Sequence, residues 1–140
     1  MDRLFLDANV LFSAAYRHDA GLLQLWRLEN VALCSSRYAL QEARINLADE
    51  DQRARLVKLS ESLDLFEAGQ GLFPRGISLP EKDVPILRAA VEARATHLLT
   101  GDLRHFGRYL GKKIERIAMV LPGAYLRGRS PQTRLARSEE

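Results

Sequence analysis

Residues 5–14, FLDANVLFSA, change period at Asp7. Leu4, Phe5 and Leu6 make a short unbroken apolar run, the pattern of a buried strand, and residues 8–15 read as a helix with Asp7 at its N-cap position. A carboxylate directly after such a strand stands at the carboxyl end of a sheet. Helix N-termini converge there, and open α/β sheets hold their ligands there.

The same unit recurs along the chain. Val31-Ala32-Leu33-Cys34 reads as a second strand, and Ser35-Ser36 can cap a helix running to about Leu47. Residues 21–29 read as helical. Residues 49–62 place Leu56, Leu59 and Leu63 at helical spacing, Leu65-Phe66 forms a brief strand, and residues 69–76 break the pattern. From Val84 the positions Leu87, Val91 and Ala95, with Ala90 between them, predict a helix up to a strand at His97-Leu98-Leu99-Thr100. Gly101 supplies a turn. A short helix over residues 103–110, a strand over 117–121 and a helical turn opened by Pro122 follow. Short strands alternating with helices predict a parallel sheet covered on both faces, with right-handed crossovers.

The 140 residues and 46% hydrophobic content suit one domain, expected over residues 1–128. The tail at 129–140 is basic and poor in apolar surface, and is expected to be disordered. The single cysteine, Cys34, excludes an intramolecular disulfide. The opening MDRLFLDANVLF has no basic leader followed by a long apolar stretch, and charged residues interrupt every apolar run before the roughly 20 residues a bilayer requires. A cytoplasmic protein without membrane contact is expected.

Net charge is +3 but unevenly placed. Residues 1–100 carry 12 Lys or Arg against 14 Asp or Glu, whereas residues 101–140 carry 9 against 4. Arg104, Arg108, Lys112, Lys113 and Arg116 follow Asp102 closely, so a polyanion held there would lie beside an acidic site. A solvated helix face and tail account for the same charges.

Four acids stand at the ends or borders of these elements: Asp7, Glu42 in YALQEA, Asp83 in PEKDVPIL and Asp102 in LLTGD. Each has a local explanation. Asp7, Asp83 and Asp102 can cap helices, and a helical Glu such as Glu42 is usually solvated, although it sits one turn from Tyr38 and Asn46 at the border of the apolar sector. No local explanation accounts for their falling at one end of the predicted elements. Carboxylates gathered at one sheet edge make a cage for Mg²⁺ or Mn²⁺, which is chemistry for phosphate. The residues therefore point to a metal-dependent nuclease.

Taken in order, FLDANVLFSA, YALQEA, DVPILRAAVEARATHLLTGDLRHFG and the closing AMVLPGAYL resemble a PIN domain over nearly the whole chain, to about Gly128. The resemblance implies a three-layer α/β/α sandwich with a parallel five-stranded sheet and a Mg²⁺- or Mn²⁺-dependent ribonuclease. Asp7, Glu42, Asp83 and Asp102 match the family's acidic quartet, and Asn9 and Thr100 match polar positions that brace it. Asp7 and Asp102 are expected as inner ligands, with Glu42 or Asp83 orienting or deprotonating a water. Arg104, Arg108, Lys112 and Lys113 are the candidate RNA contacts. Many toxin-type, VapC-like members carry a further acid after the last Asp, where this chain has Leu103, Arg104 and His105. One metal ion is therefore expected, and Arg104 is a candidate phosphate ligand. Such small proteins often pair with an antitoxin and often form homodimers, which the resemblance extends to this chain as expectations.

Rival readings fit less well. Asp7-Ala8-Asn9 lacks the second Asp of a haloacid-dehalogenase-type phosphatase, and no adjacent acidic pair with a late Lys marks a receiver domain. His18, His97 and His105 are not spaced as a zinc set. Gly69, Gly71 and Gly76 lack the Lys-Ser or Lys-Thr of a phosphate loop. Trp26, beside Leu22 and Leu23, reads as packing surface and not as a base-stacking platform. The non-enzymatic alternative is an inactive PIN-fold module that holds RNA or a protein partner.

Overall fold

The computed structural model describes residues 1–69 and 73–128. The break at 69–76 lies partly outside these residues, and the tail at 129–140, expected to be disordered, wholly outside them. The apolar runs form β1 (Asp2–Leu6), β2 (Val31–Ser36), β3 (Asp64–Phe66), β4 (His97–Leu99) and β6 (Ile117–Val120), with a short β5 (Lys113–Ile114). The helices are α1 (Ala8–Tyr16), α2 (Arg37–Asn46), α3 (Glu50–Ser60), α4 (Val84–Glu92), α5 (Leu103–Phe106) and α6 (Pro122–Arg127). The helical segment expected at 21–29 is a 3₁₀ helix, Gly21–Arg27. The helix expected at 103–110 splits into α5 and a 3₁₀ turn, Gly107–Tyr109.

Strand order is β3-β2-β1-β4-β6-β5. The three layers are those expected, and β1, β2, β3, β4 and β6 are mutually parallel. One edge corrects the five-stranded expectation: β5 adds a sixth strand, antiparallel to β6, through Lys113↔Ala118 and Ile114↔Ile117. The two residues of that hairpin loop, Glu115 and Arg116, both have positive φ, 51° and 72°. This is the φ signature of a type I′ turn, which normally advertises itself as Asn-Gly or Asp-Gly. Glu-Arg gives no such signal, so the hairpin is invisible in the sequence.

The core follows from the patterns. Leu4, Phe5 and Leu6 on β1 and Leu98 and Leu99 on β4 are fully buried, each contributing about 1.5–3 kcal/mol by leaving water. Helix α1 buries Val10, Leu11, Ala14 and Ala15, one stripe of its surface, and packs against α2 and α3. Helix α4 buries Ile86, Leu87, Ala89 and Ala90 and lies against β2 and β3. Trp26 packs on the core edge, with its indole N–H donating to the Leu59 carbonyl at 3.1 Å. No helix among the described residues is long and apolar enough to cross a membrane.

Going from β1 to β2 to β3 the chain steps outward in one direction, and it then returns across β1 to place β4 on the other side. The order therefore reverses between β1 and β4, and an open parallel sheet forms its crevice at such a reversal, outside the strands' carboxyl ends. Leu6 and Leu99 are register partners, so the two strands end level, immediately before Asp7 and Thr100.

Two ordinary L-residues in the left-handed region cost about 1 kcal/mol or more. Replacing Glu115-Arg116 by Asn-Gly is expected to stabilise the chain by about 1 kcal/mol, or about 4 °C in Tm, read by urea and thermal denaturation. An unchanged or lowered midpoint would show that the turn carries no such strain.

Candidate active site

Asp7 leaves β1 in an extended conformation, φ −69° and ψ 162°, and caps α1. Its Oδ1 accepts from the Ala8 amide at 2.7 Å. Its Oδ2 accepts from the Thr100 hydroxyl at 2.7 Å and from Asn9 Nδ2 at 3.0 Å. The Asp7 amide itself donates to the Leu99 carbonyl at 3.1 Å, which fastens the end of β1 to the end of β4. Asn9 completes the brace by accepting from the Gly101 amide at 2.7 Å. A Cβ at Gly101 would come within 3.3 Å of that Asn9 oxygen, so glycine lets the loop close onto it. Thr100 is fully buried, and its hydroxyl oxygen also accepts from the Asp102 amide at 3.1 Å.

Asp7 is only 4% exposed. Burial is the main influence on its carboxyl and pushes it up to about 6, against the Thr100, Ala8 and Asn9 hydrogen bonds that hold it down, while the Asp83 charge raises it further.

Asp83 lies at the end of a 3₁₀ turn, Glu81–Asp83, directly before α4. A capping role would explain an Asp at this place, but its side chain makes no capping hydrogen bond. The carboxylate is buried instead. Burial raises the carboxyl most, the His105 and Lys82 charges lower it, and Asp102 and Glu42 raise it.

Asp102 does cap its helix, with Oδ1 accepting from the His105 amide at 3.1 Å. Its Oδ2 is then turned toward the His105 ring, 2.7 Å from Nδ1, and Asp83 Oδ2 lies 2.8 Å from the same nitrogen. Distance and alignment disagree here: the contacts are short enough for ion pairs, yet neither Asp83 Oδ2 nor His105 Nδ1 makes an aligned hydrogen bond. The alignment is the more informative of the two, because an imidazole N–H or lone pair acts only in the plane of its ring. Glu42 reaches the same place from α2. One turn before it, Tyr38 donates to the Lys82 carbonyl at 2.6 Å and so ties α2 to the turn bearing Asp83. Burial, then the Glu42 carboxylate, push the Tyr38 hydroxyl up to about 12, so it remains a donor.

Asp7, Glu42, Asp83 and Asp102 thus all line one cleft of about 380 Å³, together with Asn9 and Lys82 among others. Four elements distant in sequence converge there. Arg104, Arg108, Lys112 and Lys113 are exposed and outside the lining. The guanidinium of Arg108 rests over the Tyr109 ring at 5.6 Å. Two further residues stand here that the sequence does not mark: Lys82 in the lining, and His105 against Asp83 and Asp102. The Asp-x-x-His spacing of residues 102–105 brings the two side chains together only once a helix forms there with Asp102 as its cap, so it is a weak local signal.

The donor set fits a divalent cation: Asp83, Asp102 and His105 offer ligand atoms all within 4.8 Å of one another. Two oxygens of the set are also free to serve. Asp102 Oδ2 is not used in capping, and Asp83 Oδ2 is buried without a hydrogen bond.

No protein-family model matches the chain, and no curated protein does either. Solved structures do match. A chain of VapBC2 from Rickettsia felis, bound to a DNA fragment from their promoter, superposes with a TM-score of 0.61 at 16% identity, covering 84% of this chain and 96% of that one. A chain of VapBC-1 from nontypeable Haemophilus influenzae superposes with a TM-score of 0.54 at 15% identity, covering 86% and 98%. At such identities the likeness is one of fold alone: the chain has the fold of these VapBC chains, the PIN-like three-layer α/β arrangement that the sequence leads one to expect.

Proposed function

We propose that the chain is a Mg²⁺- or Mn²⁺-dependent ribonuclease that hydrolyses RNA phosphodiester bonds in this cleft. The observation that carries the reading is the convergence of Asp7, Glu42, Asp83 and Asp102 on one opening at the strand-order reversal. Two carboxylates about 4 Å apart repel by about 4 kcal/mol at an effective dielectric near 20, so four in one cleft call for a counter-charge. A bound divalent cation would supply it, together with polarisation of the phosphate and activation of a water.

The chain's own residues supply the rest. Asp7 and Asp102 are the holding carboxylates. Asp7 offers Oδ1, since its Oδ2 already accepts two hydrogen bonds. Asp102 offers Oδ2, since Oδ1 caps α5. Glu42, half-buried on α2, accepts the proton of the attacking water. Lys82 lines the cleft and holds a phosphate oxygen, and the exposed Arg104, Arg108, Lys112 and Lys113 bind the flanking strand electrostatically. Both fold neighbours are structures of VapBC assemblies, which supports an antitoxin as the inhibitory partner and a toxin role.

One observation favours a second reading, an inactive interaction module: His105 lies against both Asp83 and Asp102 and, when protonated, would offset their charge without a metal. Calorimetry with Mn²⁺ separates the two. Binding by the parent that Asp102→Asn weakens about tenfold or more supports the nuclease, and no binding by either protein supports the module.

Asp7→Asn is expected to abolish cleavage of single-stranded RNA in Mn²⁺ while leaving the circular dichroism spectrum unchanged. Parent-like cleavage would refute the assignment. The same variant carries a stability signature. Because the folded value near 6 lies above the ordinary 3.8, ionised Asp7 destabilises the fold, and stability falls as pH rises between those values. The full effect is about 3 kcal/mol, part of which the mismatched amide of Asn would forfeit. Urea denaturation should therefore show Asp7→Asn more stable than the parent by about 1 kcal/mol or more at pH 7.5, with the gain gone at pH 4. Thr100→Val removes a donor that holds Asp7 down, and should move the acid limb of the activity profile to higher pH.

A further inference from the structure

We infer that Asp83, Asp102 and His105 form a mixed carboxylate–imidazole cation site in which His105 Nδ1 is a ligand that selects Mn²⁺ or Co²⁺ over Mg²⁺. The inference rests on the metal-dependent reading of the cleft, in which Asp102 already holds the ion, and adds Asp83 and His105 as ligands and an ion preference to it.

Asp83 Oδ2 and Asp102 Oδ2 lie 2.8 and 2.7 Å from His105 Nδ1. Ligand atoms about 2.1 Å from an octahedral ion are about 3.0 Å apart along an edge and about 4.2 Å apart across it, so both carboxylate oxygens stand near an edge length from the nitrogen, and all three groups offer ligand atoms within 4.8 Å of one another. Protons do not explain that spacing. Neither oxygen lies where an N–H on Nδ1 would point, and Asp83 Oδ2, on a side chain 9% exposed, makes no hydrogen bond. The in-plane direction of Nδ1 thus passes beside both oxygens, and a cation placed on it would take the nitrogen lone pair while touching the two carboxylates. The backbone that carries the ring is held as well, since the His105 amide donates to Asp102 Oδ1 at 3.1 Å and so keeps residues 102 and 105 in one turn.

Ion preference follows from the nitrogen. Mg²⁺ takes oxygen ligands and keeps several waters, whereas imidazole suits the transition ions. With Asp7 and Glu42 completing the anionic wall, the cleft would bind either class, and His105 decides between them.

The test is titration calorimetry of the full chain with MnCl₂ and MgCl₂. The parent is expected to bind Mn²⁺ about tenfold or more tightly than Mg²⁺, and His105→Ala to lose about tenfold for Mn²⁺ but under about threefold for Mg²⁺. If the ring is only a counter-ion, removing it strengthens binding of both ions, and that result overturns the inference, as does an unchanged Mn²⁺/Mg²⁺ ratio. The Co²⁺-loaded parent gives a readout that needs no substitution. Ligation through Nδ1 leaves a proton on Nε2, so proton NMR should show an exchangeable, hyperfine-shifted imidazole N–H, and its absence also overturns the ligand role. A parent that binds no divalent ion sinks the metal-dependent reading along with this one. A parent that binds ions without regard to His105 sinks this one alone.

Discussion

The hydrogen bond from the Thr100 hydroxyl to Asp7 Oδ2, 2.7 Å between two buried groups, is the contact on which the site depends. It joins the carboxyl ends of β1 and β4 where the strand order reverses. The same hydroxyl oxygen receives the Asp102 amide, and Asn9 spans from Asp7 to Gly101. One threonine therefore fixes the distance between the first and last acids. An isolated carboxylate at this depth would cost several kcal/mol in desolvation, and it is tolerated because two side-chain donors and one amide converge on it. The residual penalty remains visible in the raised value of Asp7. Stability has been spent on keeping a charge in place, a cost expected at sites that serve function and not folding.

Much of this frame is legible in the sequence, for identifiable reasons. The change of period at Asp7 and the Leu-Leu-Thr-Gly-Asp run both place a polar residue at the end of a fully buried strand, and burial on both faces is what makes such strands read as unbroken apolar runs. Asn9 and Thr100 are expected from the resemblance to PIN domains, and both donate to Asp7 Oδ2. Glu42 was readable only as part of the ordered set, since its place at the cleft depends on how α2 is docked, partly through the hydroxyl of Tyr38 on the Lys82 carbonyl. Asp83 reads locally as a cap, yet in the fold its side chain makes no capping bond.

What stayed hidden shares one cause. The β5–β6 hairpin, the inward turn of His105 and the placing of Lys82 at the cleft are set by tertiary context and not by local preference. Glu115-Arg116 has no turn signature, and a pairing two residues long is decided by its neighbours. His105 stands in a four-residue helix too short to show a periodic face, so its direction comes from the capping of α5 by Asp102. Lys82 precedes a buried Asp on a turn, where adjacent side chains follow no helical or strand period.

Having His105, and no further acid, beside Asp83 and Asp102 shapes the electrostatics of the opening. Four carboxylates carry four negative charges when ionised, and a fifth would favour two divalent ions. An imidazole instead leaves the ligand set less anionic, so one ion compensates more of it, and a second would gain less attraction for the same loss of hydration. Under the nuclease reading a phosphodiester would bring another negative charge, which would have to be met from elsewhere. Lys82 lines the cleft, and Arg104, Arg108, Lys112 and Lys113 are exposed outside its lining, so cationic side chains are the available source. Under that reading, charge that a two-ion site would draw from a second metal comes here from side chains, and the basic residues that follow Asp102 and the imidazole of His105 have one explanation.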